Sequence, residues 1–309
     1  MNYGPLIFLA AFFALATSWC GLVLTPQAHV GRMQQTNTLV NATTYPLPRP
    51  GLAQQGAQVY RANGCAYCHS QQVRQTGTRC DVTVTETGTN QPALLSALVK
   101  LQPNLSEIQA KELFSKLPAA LLKGLDRPDA DAAVKALNAA GAKAQVSIVP
   151  VGPDIARGWG RRRTVAEDFL FDSPVMPGTQ RVGPDLANAG SRLPDTDWHL
   201  RHLYAPRLVE WASTMPPYRF LFEKRRIQGE PSPDALQFPP EAAPPAGYEI
   251  IPKPEARALA AYLVSLQADA PLFVAPVSVA SAPTASSTNS PAVPGPTAVL
   301  GSSTATPSK

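Results

Sequence analysis

Residues 64–70 read GCAYCHS, and this short stretch decides how the rest of the chain is interpreted. Cys65, Cys68 and His69 have the Cys-x-x-Cys-His spacing of covalent haem attachment. In that pattern two thiols form thioethers with the haem and the adjacent imidazole binds its iron. The sequence therefore predicts one haem c, attached at these three residues.

The same cysteines are compatible with two other kinds of site. Cys65, Cys68, Cys80 and a histidine could form a four-coordinate structural zinc site. A redox-active pair of the thioredoxin type would need a βαβ setting, which the flanking sequence does not predict. Four clustered cysteines in 309 residues do not indicate a disulfide framework. If haem is attached, we expect Cys80 to be a small core residue and Cys20 to face lipid or to pack.

A haem that transfers electrons needs a second axial ligand that stays bound in both oxidation states, and a methionine thioether meets this need. The chain has four methionines, of which Met1 and Met33 precede the predicted haem domain. Met176 and Met215 remain, and either could instead fill a core. We favour Met215, because it follows the GPDL run at residues 183–186 and precedes the last predicted helix.

His199 and His202 are competing candidates for this second axial position. Their spacing of three residues places both imidazoles on one face of a helix. The alternative interpretation is that this face lies near the haem edge or at an interface without binding iron.

Two kinds of supporting residue are expected around the haem. The iron-bound imidazole of His69 needs an acceptor on its other ring nitrogen, and the carbonyl of Pro184 is a candidate. Arg192 or Arg181 could neutralise a haem propionate. For each arginine the alternative is an ordinary solvated surface position.

Residues 1–31 contain no Asp, Glu, Lys or Arg and predict a membrane anchor. As a helix, residues 4–24 are long enough to cross about 30 Å of hydrocarbon. Arg32 alone would favour keeping the following residues in the cytoplasm. Because bacterial haem attachment to this motif takes place outside the cytoplasm, we instead expect a single-pass protein of the cytoplasmic membrane with its haem domain on the periplasmic side.

Composition divides the chain into five parts and predicts a mainly α fold. The net charge is +5, but the positively charged residues are scattered along the sequence, so nucleic-acid binding is not indicated. The tail is rich in Ala, Pro, Ser and Thr and is expected to be disordered. The predicted parts are a transmembrane anchor (1–31), an extended tether (32–50), a discontinuous haem domain (51–79 and 150–267), an inserted α+β domain (80–149) and the disordered tail (268–309).

The insert has its own pattern of secondary structure. An alternating run at residues 82–87 and a second at 145–149 indicate strands, and helices are predicted at 91–100, 106–117 and 128–140. Residues 111–149, with LPAALLKGL at 117–125 and AAGAKAQV at 139–146, resemble the C-terminal domain of the ribosomal stalk protein. The resemblance implies a fold and no role in translation.

The remainder resembles class I cytochrome c in the order of its motifs. An early helix, the Cys-x-x-Cys-His motif, the GPDL run, Met215 and a closing helix follow one another as in that family. The resemblance implies that the first and last helices cross through Gly56, Tyr60, Leu259 and Tyr262, with a small residue at 56 allowing close approach.

Five stretches carry a more specific resemblance: SWCGLVLTPQ (18–27), GCAYCHSQQVR (64–74), GTQRVGPDL (178–186), DWHLRHL (197–203) with Pro206-Arg207, and STMP (213–216). In these stretches the chain resembles the mono-haem subunit II, of the FixO or CcoO type, of cbb3-type cytochrome c oxidase. The resemblance implies His69 and Met215 as iron ligands. It also implies relay of single electrons from another c-type cytochrome to a catalytic subunit with haem b and copper, and no oxygen-reducing site on this chain.

Other functions remain open at this point. A mono-haem cytochrome that serves a nitric oxide reductase, or a stand-alone carrier, would use the same haem residues. In a different class, the protein would be a binding or assembly scaffold in which the haem supports the fold. The Cys-x-x-x-Cys-x-x-x-His pattern of a dicopper site does not occur in the sequence.

Overall fold

The computed structural model describes residues 3–39 and 41–272, and the described chain begins with one long apolar helix. This helix comprises α1 (Gly4–Trp19), a π-helical turn (Cys20–Leu24) and α2 (Thr25–Val30). Its 27 residues are long enough to cross a membrane. No side chain of α1 is buried against the rest of the protein, which suits a helix surrounded by lipid.

The segment predicted as an extended tether contains a short hairpin with side-chain contacts. β1 (Thr36–Asn37) pairs antiparallel with β2 (Thr44–Tyr45). The hydroxyl of Tyr45 donates to Asp168 Oδ1 at 2.7 Å, and Arg49 forms a salt bridge with Asp172. These contacts hold the segment against residues that follow the insert.

Next comes α3 (Gly51–Ala62), followed by a 3₁₀ turn at Cys65–Tyr67 that contains the first cysteine of the motif. α3 is amphipathic and buries Ala53, Gly56 and Tyr60. The helix therefore ends directly before the Cys-x-x-Cys-His motif.

The insert folds as a three-stranded antiparallel sheet with three helices. Its elements are β3 (Gly77–Glu86), α4 (Gln91–Leu101), α5 (Glu107–Phe114), β4 (Ala119–Leu125), α6 (Arg127–Ala139) and β5 (Lys143–Val151). β3 is central and pairs with β4 on one side and β5 on the other. Because β3 and β5 pair from Gly77↔Val151 onward, the segment that enters the insert and the segment that leaves it lie side by side.

The chain after the insert contains short helices, one hairpin and a closing helix. The elements are α7 (Pro153–Ala156), α8 (Ala189–Arg192), α9 (Thr196–Tyr204), α10 (Pro206–Val209), β6 (Phe222–Arg226), β7 (Tyr248–Pro252) and α11 (Pro254–Ser265). β6 and β7 pair antiparallel across the Pro-rich loop.

The prediction of a mainly α fold is wrong, because the described chain is mixed α/β. The difference comes from the insert's third strand, β4, and from the hairpin of β6 and β7. Neither was predicted, since β4 is built from residues such as Ala and Leu that also favour helices, and β6 carries four charges in five residues.

α3 and α11 cross at very short range. A Cβ built on Gly56 would lie 1.9 Å from the carbonyl oxygen of Ala258 and 2.7 Å from Cβ of Tyr262. The rings of Tyr60 and Tyr262 pack beside this point, with centroids 5.2 Å apart. The absence of a side chain at residue 56 is thus what lets the two helices approach.

The described residues form two separate hydrophobic cores. The first core includes Tyr60, Leu200, Leu203, Phe222, Ile250, Leu259 and Tyr262. The second core lies inside the insert and includes Cys80, Val82, Leu94, Leu98 and Leu137. Cys65 packs against the first core, so Cys65 and Cys80 belong to different clusters.

The first residues of the predicted disordered tail, residues 268–309, form backbone hydrogen bonds with the folded part of the chain. The amide of Ala268 donates to the carbonyl of Ala187 at 3.0 Å, and the carbonyl of Pro271 accepts from the amide of Leu39 at 2.9 Å. From residue 273 onward the predicted tail lies outside the described residues.

Candidate haem site

The Cys-x-x-Cys-His motif forms a tight turn at the end of α3. Gly64 has a φ of +68°, a left-handed conformation that lets the chain turn away from the helix. Within the turn, the amides of Cys68 and His69 both donate to the carbonyl of Cys65, at 3.2 and 3.0 Å. Burial raises the pKa of the Cys65 thiol to about 11. The turn presents two thiols and an imidazole, which are the donors that a c-type haem requires.

His69 is oriented by the loop that contains the GPDL run. Its Nδ1 lies 2.8 Å from the carbonyl oxygen of Pro184, which can only accept, so Nδ1 carries the proton. Nε2 is then the nitrogen with a free lone pair for a metal. Burial lowers the pKa of His69, which favours the neutral imidazole that binds iron.

A ladder of hydrogen bonds joins the motif to this loop. The amide of Gly183 donates to the carbonyl of Cys68 at 3.0 Å, and the amide of Leu186 donates to the carbonyl of Ser70 at 2.8 Å. Asp185 Oδ2 accepts from the hydroxyl of Ser70 at 2.5 Å and from the amide of Gln72 at 2.7 Å. The backbone of His69 is therefore held by contacts of the residues that precede and follow it in the sequence.

Replacing Gly183 by alanine is expected to disturb this arrangement. A Cβ at residue 183 would lie 2.3 Å from Cε1 of His69 and 2.7 Å from its Nδ1, so the ring or the loop must move. If His69 binds a haem iron, a weaker hydrogen bond to Pro184 makes its imidazole a poorer electron donor and favours reduced iron. In a redox titration we expect the midpoint potential to rise by about 59 mV, a tenfold shift of a one-electron equilibrium.

Gly51→Ala is the control for that titration, since a Cβ at residue 51 meets no atom within 4 Å. We expect this variant to keep the parent potential. An unchanged or lowered potential in Gly183→Ala would contradict the predicted effect of the His69–Pro184 hydrogen bond on the haem potential.

Both candidate methionines pack near the motif. Met176 and Met215 are half-buried against the first core, on which Cys65 also packs. The amide of Tyr218 donates to the carbonyl of Leu203 at 2.8 Å and ties the chain after Met215 to α9. Because both methionines pack on the same core, the preference for Met215 over Met176 stays a prediction.

The two histidines of α9 have different surroundings. His199 is buried, and its Nε2 lies 2.8 Å from the carbonyl oxygen of Leu193. His202 stacks on Trp198, with ring centroids 4.8 Å apart, and its Nδ1 is buried without a hydrogen-bond partner. Burial, with smaller contributions from His199 and His69, lowers the pKa of His202 to about 4. His202 thus keeps a buried polar atom free for another group.

The two predicted propionate partners are engaged differently. Arg192 Nη2 donates to the backbone carbonyl of Asp185 at 2.5 Å, while its Nε is buried without a partner. Arg181 instead donates to Asp154 Oδ2 at 2.5 Å and to the carbonyl of Gln72. Arg192 retains a free donor for a propionate, whereas Arg181 is occupied by protein groups.

The zinc alternative is not supported by this geometry. Cys80 lies in the core of the insert, away from the cluster that contains Cys65. Within residues 3–39 and 41–272, no group of three or more His, Cys, Asp or Glu side chains is placed to hold a metal ion.

Sequence reasoning missed two buried carboxylates, Asp154 and Asp185, both of which are fully buried. Asp185 lies inside the GPDL run, but the sequence predicts a role only for its neighbour Pro184, as the acceptor for His69. Nothing in the local sequence distinguishes Asp154, because its partners Arg74 and Arg181 are distant along the chain.

Comparison with known proteins links two parts of the chain to different proteins. A stretch of 69 residues, 22% of the chain, is 39% identical to the large ribosomal subunit protein bL12 of Actinobacillus pleuropneumoniae serotype 5b (strain L20). The match spans 56% of that protein's length. Residues 145–237, which include the GPDL run and Met215, match the family model described as cytochrome C oxidase, mono-heme subunit/FixO, and this match supports the FixO family.

Proposed function

We propose that this protein is a membrane-anchored mono-haem c-type cytochrome of the FixO family, which relays single electrons to the catalytic subunit of a cbb3-type oxidase. The hydrogen bond between His69 and Pro184 carries the proposal, because it couples the attachment motif to the segment that matches the family model. The apolar helix at Gly4–Val30 supports a membrane location.

In this proposal each residue has a defined task. Cys65 and Cys68 bind the haem covalently, and His69 and Met215 bind its iron. The haem supplies reversible one-electron chemistry when it is bound. The carbonyl of Pro184 orients His69, and Arg192 contacts a propionate. The chain reduces no oxygen itself.

The proposal includes a division into domains and an orientation in the membrane. Residues 51–79 and 150–267 form a class I cytochrome c domain, into which residues 80–149 are inserted. The single helix anchors this domain on the periplasmic side of the cytoplasmic membrane. There it accepts electrons from another c-type cytochrome and passes them to the subunit with haem b and copper.

A pyridine haemochrome spectrum of the complex, purified in mild detergent from its own membranes, tests the proposal. We expect haem c together with haem b, as a multi-subunit terminal oxidase requires. Haem c alone would indicate a solitary anchored carrier and would contradict the oxidase assignment. Complete absence of haem would contradict the proposal as a whole.

Met215→Ala is expected to lower the midpoint potential strongly. A thioether ligand favours reduced iron, so its loss should shift the reduction equilibrium by about a hundredfold, or roughly 120 mV at 59 mV per decade. Met176→Ala is the matched control, because Met176 packs against the same core and is also half-buried. If the potential fell with Met176→Ala and not with Met215→Ala, Met176 and not Met215 would be the iron ligand.

A further inference from the structure

The base of the insert is joined to the haem-binding loop by a chain of buried charges. At this base the amide of Thr76 donates to the carbonyl of Val151 at 2.9 Å, which closes the stem of β3 and β5. Asp154 follows in α7, and its carboxylate accepts from the amide of Arg74 at 2.8 Å. Asp154 thus holds together the segments that enter and leave the insert.

Asp154 is fully buried and needs a cation. Arg181 Nη1 donates to its Oδ2 at 2.5 Å. Burial raises the pKa of Asp154, but the hydrogen bonds from Arg181 and the Arg74 amide outweigh it, and the net pKa lies below the usual value. Loss of Arg181 would leave this buried carboxylate with only the exposed side chains of Arg74 and Arg157 as cationic partners, which is strongly unfavourable.

The other arm of Arg181 reaches the loop around His69. Its Nη2 donates to the carbonyl of Gln72 and lies 3.6 Å from Asp185 Oδ2. Asp185 is also fully buried, and the same oxygen accepts from Ser70 and from the amide of Gln72. One guanidinium therefore lies between two buried carboxylates, of which one belongs to the insert's base and the other to the loop that contains Pro184.

We propose that Arg181 is a positioning residue that fixes the loop presenting Pro184 to His69 by bridging Asp154 and Asp185, and so couples the insert's base to the haem ligand. The planar guanidinium directs Nη1 to Asp154 and Nη2 toward Asp185 in a fixed geometry, whereas a lysine ammonium is a point charge on a flexible stem. Arg181 also lies over the ring of Trp159, at 5.7 Å from the centroid, which restrains its orientation.

The Arg181→Lys variant separates positioning from charge. Lysine keeps the positive charge but loses the bridge, so the hydrogen bond from His69 to Pro184 should loosen. A less basic imidazole favours reduced iron. We therefore expect the midpoint potential to rise by about 59 mV, a tenfold shift in the reduction equilibrium. Unchanged potential would show that charge alone matters, and lowered potential would also overturn the proposal.

Hydrogen exchange of the full-length protein in detergent gives a second readout. The amides of Gln72, Gly183 and Leu186 belong to the ladder beside His69, and in Arg181→Lys they should exchange about tenfold faster as the loop opens locally. Arg157→Lys is the matched control: Arg157 lies 3.8 Å from Asp154 and stacks on Trp159, but it is 57% exposed and has no contact with Asp185. Equal effects of the two variants would refute a specific role for Arg181.

Asp154→Asn provides an independent variant that leaves Arg181 paired with Asp185. If the coupling exists, this change at the insert's base should also speed exchange of the Gly183 and Leu186 amides. Parent-like exchange there would overturn the coupling. The potential readout rests on the proposed haem function, whereas exchange does not, so a protein without haem would refute that function and still leave the positioning role testable.

Discussion

Replacing Cys65 and Cys68 together by serine is expected to yield a full-length protein without covalent haem. Both thioethers are lost, while the turn at Cys65–Tyr67 is held by backbone hydrogen bonds that serine can keep. Haem-dependent peroxidase staining of a denaturing gel measures the result, because only covalently attached haem survives denaturation. We expect staining to fall to background.

Cys80→Ala is the matched control for the double serine variant. Cys80 is buried in the core of the insert, where alanine can replace it with a small loss of packing. We expect this variant to stain like the parent protein. If Cys80→Ala also abolished the bound cofactor, or if the parent contained zinc and no haem, the assignment of these cysteines would be wrong.

Gly56→Ala is expected to destabilise the protein by about 3 kcal/mol, near the upper end of the usual cost of overpacking. The new methyl group would lie 1.9 Å from the carbonyl oxygen of Ala258, so α3 and α11 would have to separate. For a domain of this size the loss corresponds to a fall in Tm of about 10 °C. Thermal unfolding followed by circular dichroism measures it.

Gly51→Ala tests whether the effect arises from the helix crossing. Residue 51 lies in the same helix, and a Cβ there meets no atom within 4 Å. Residue 51 is the first residue of α3, where the preference of a helix interior for alanine over glycine applies only in part, so this variant should be as stable as the parent or slightly more stable. Similar losses in both variants would mean that backbone flexibility, not close packing, explains the glycine at 56.

Local sequence patterns predicted most of the insert. The predicted helices at 91–100 and 128–140 agree with α4 (Gln91–Leu101) and α6 (Arg127–Ala139) within one residue at each end. Proline near each start and strong apolar periodicity make such helices readable from sequence. β4 was missed because its run, AALLKGL, becomes a strand only by pairing with β3.

The candidate haem site was readable from the sequence where its residues lie in one short motif, and its assignment stays a prediction. Cys65, Cys68 and His69 lie within five consecutive residues, and Pro184 belongs to a recognisable run. The supporting contacts were not predictable, because Asp154, Arg181 and Gln72 meet only after the chain has folded around the insert. Pairings between distant residues leave no local pattern, which is why the charge bridge emerged from the structure.

The hairpin of residues 36–45 leaves only a short connection between the apolar helix and the folded residues that contain the candidate haem site. The apolar helix ends at Val30, and Thr36 already pairs with Tyr45, which is bound to Asp168. Six residues span at most about 20 Å when fully extended. In the proposed function, an electron acceptor for this domain would therefore have to lie within about this distance of the membrane surface.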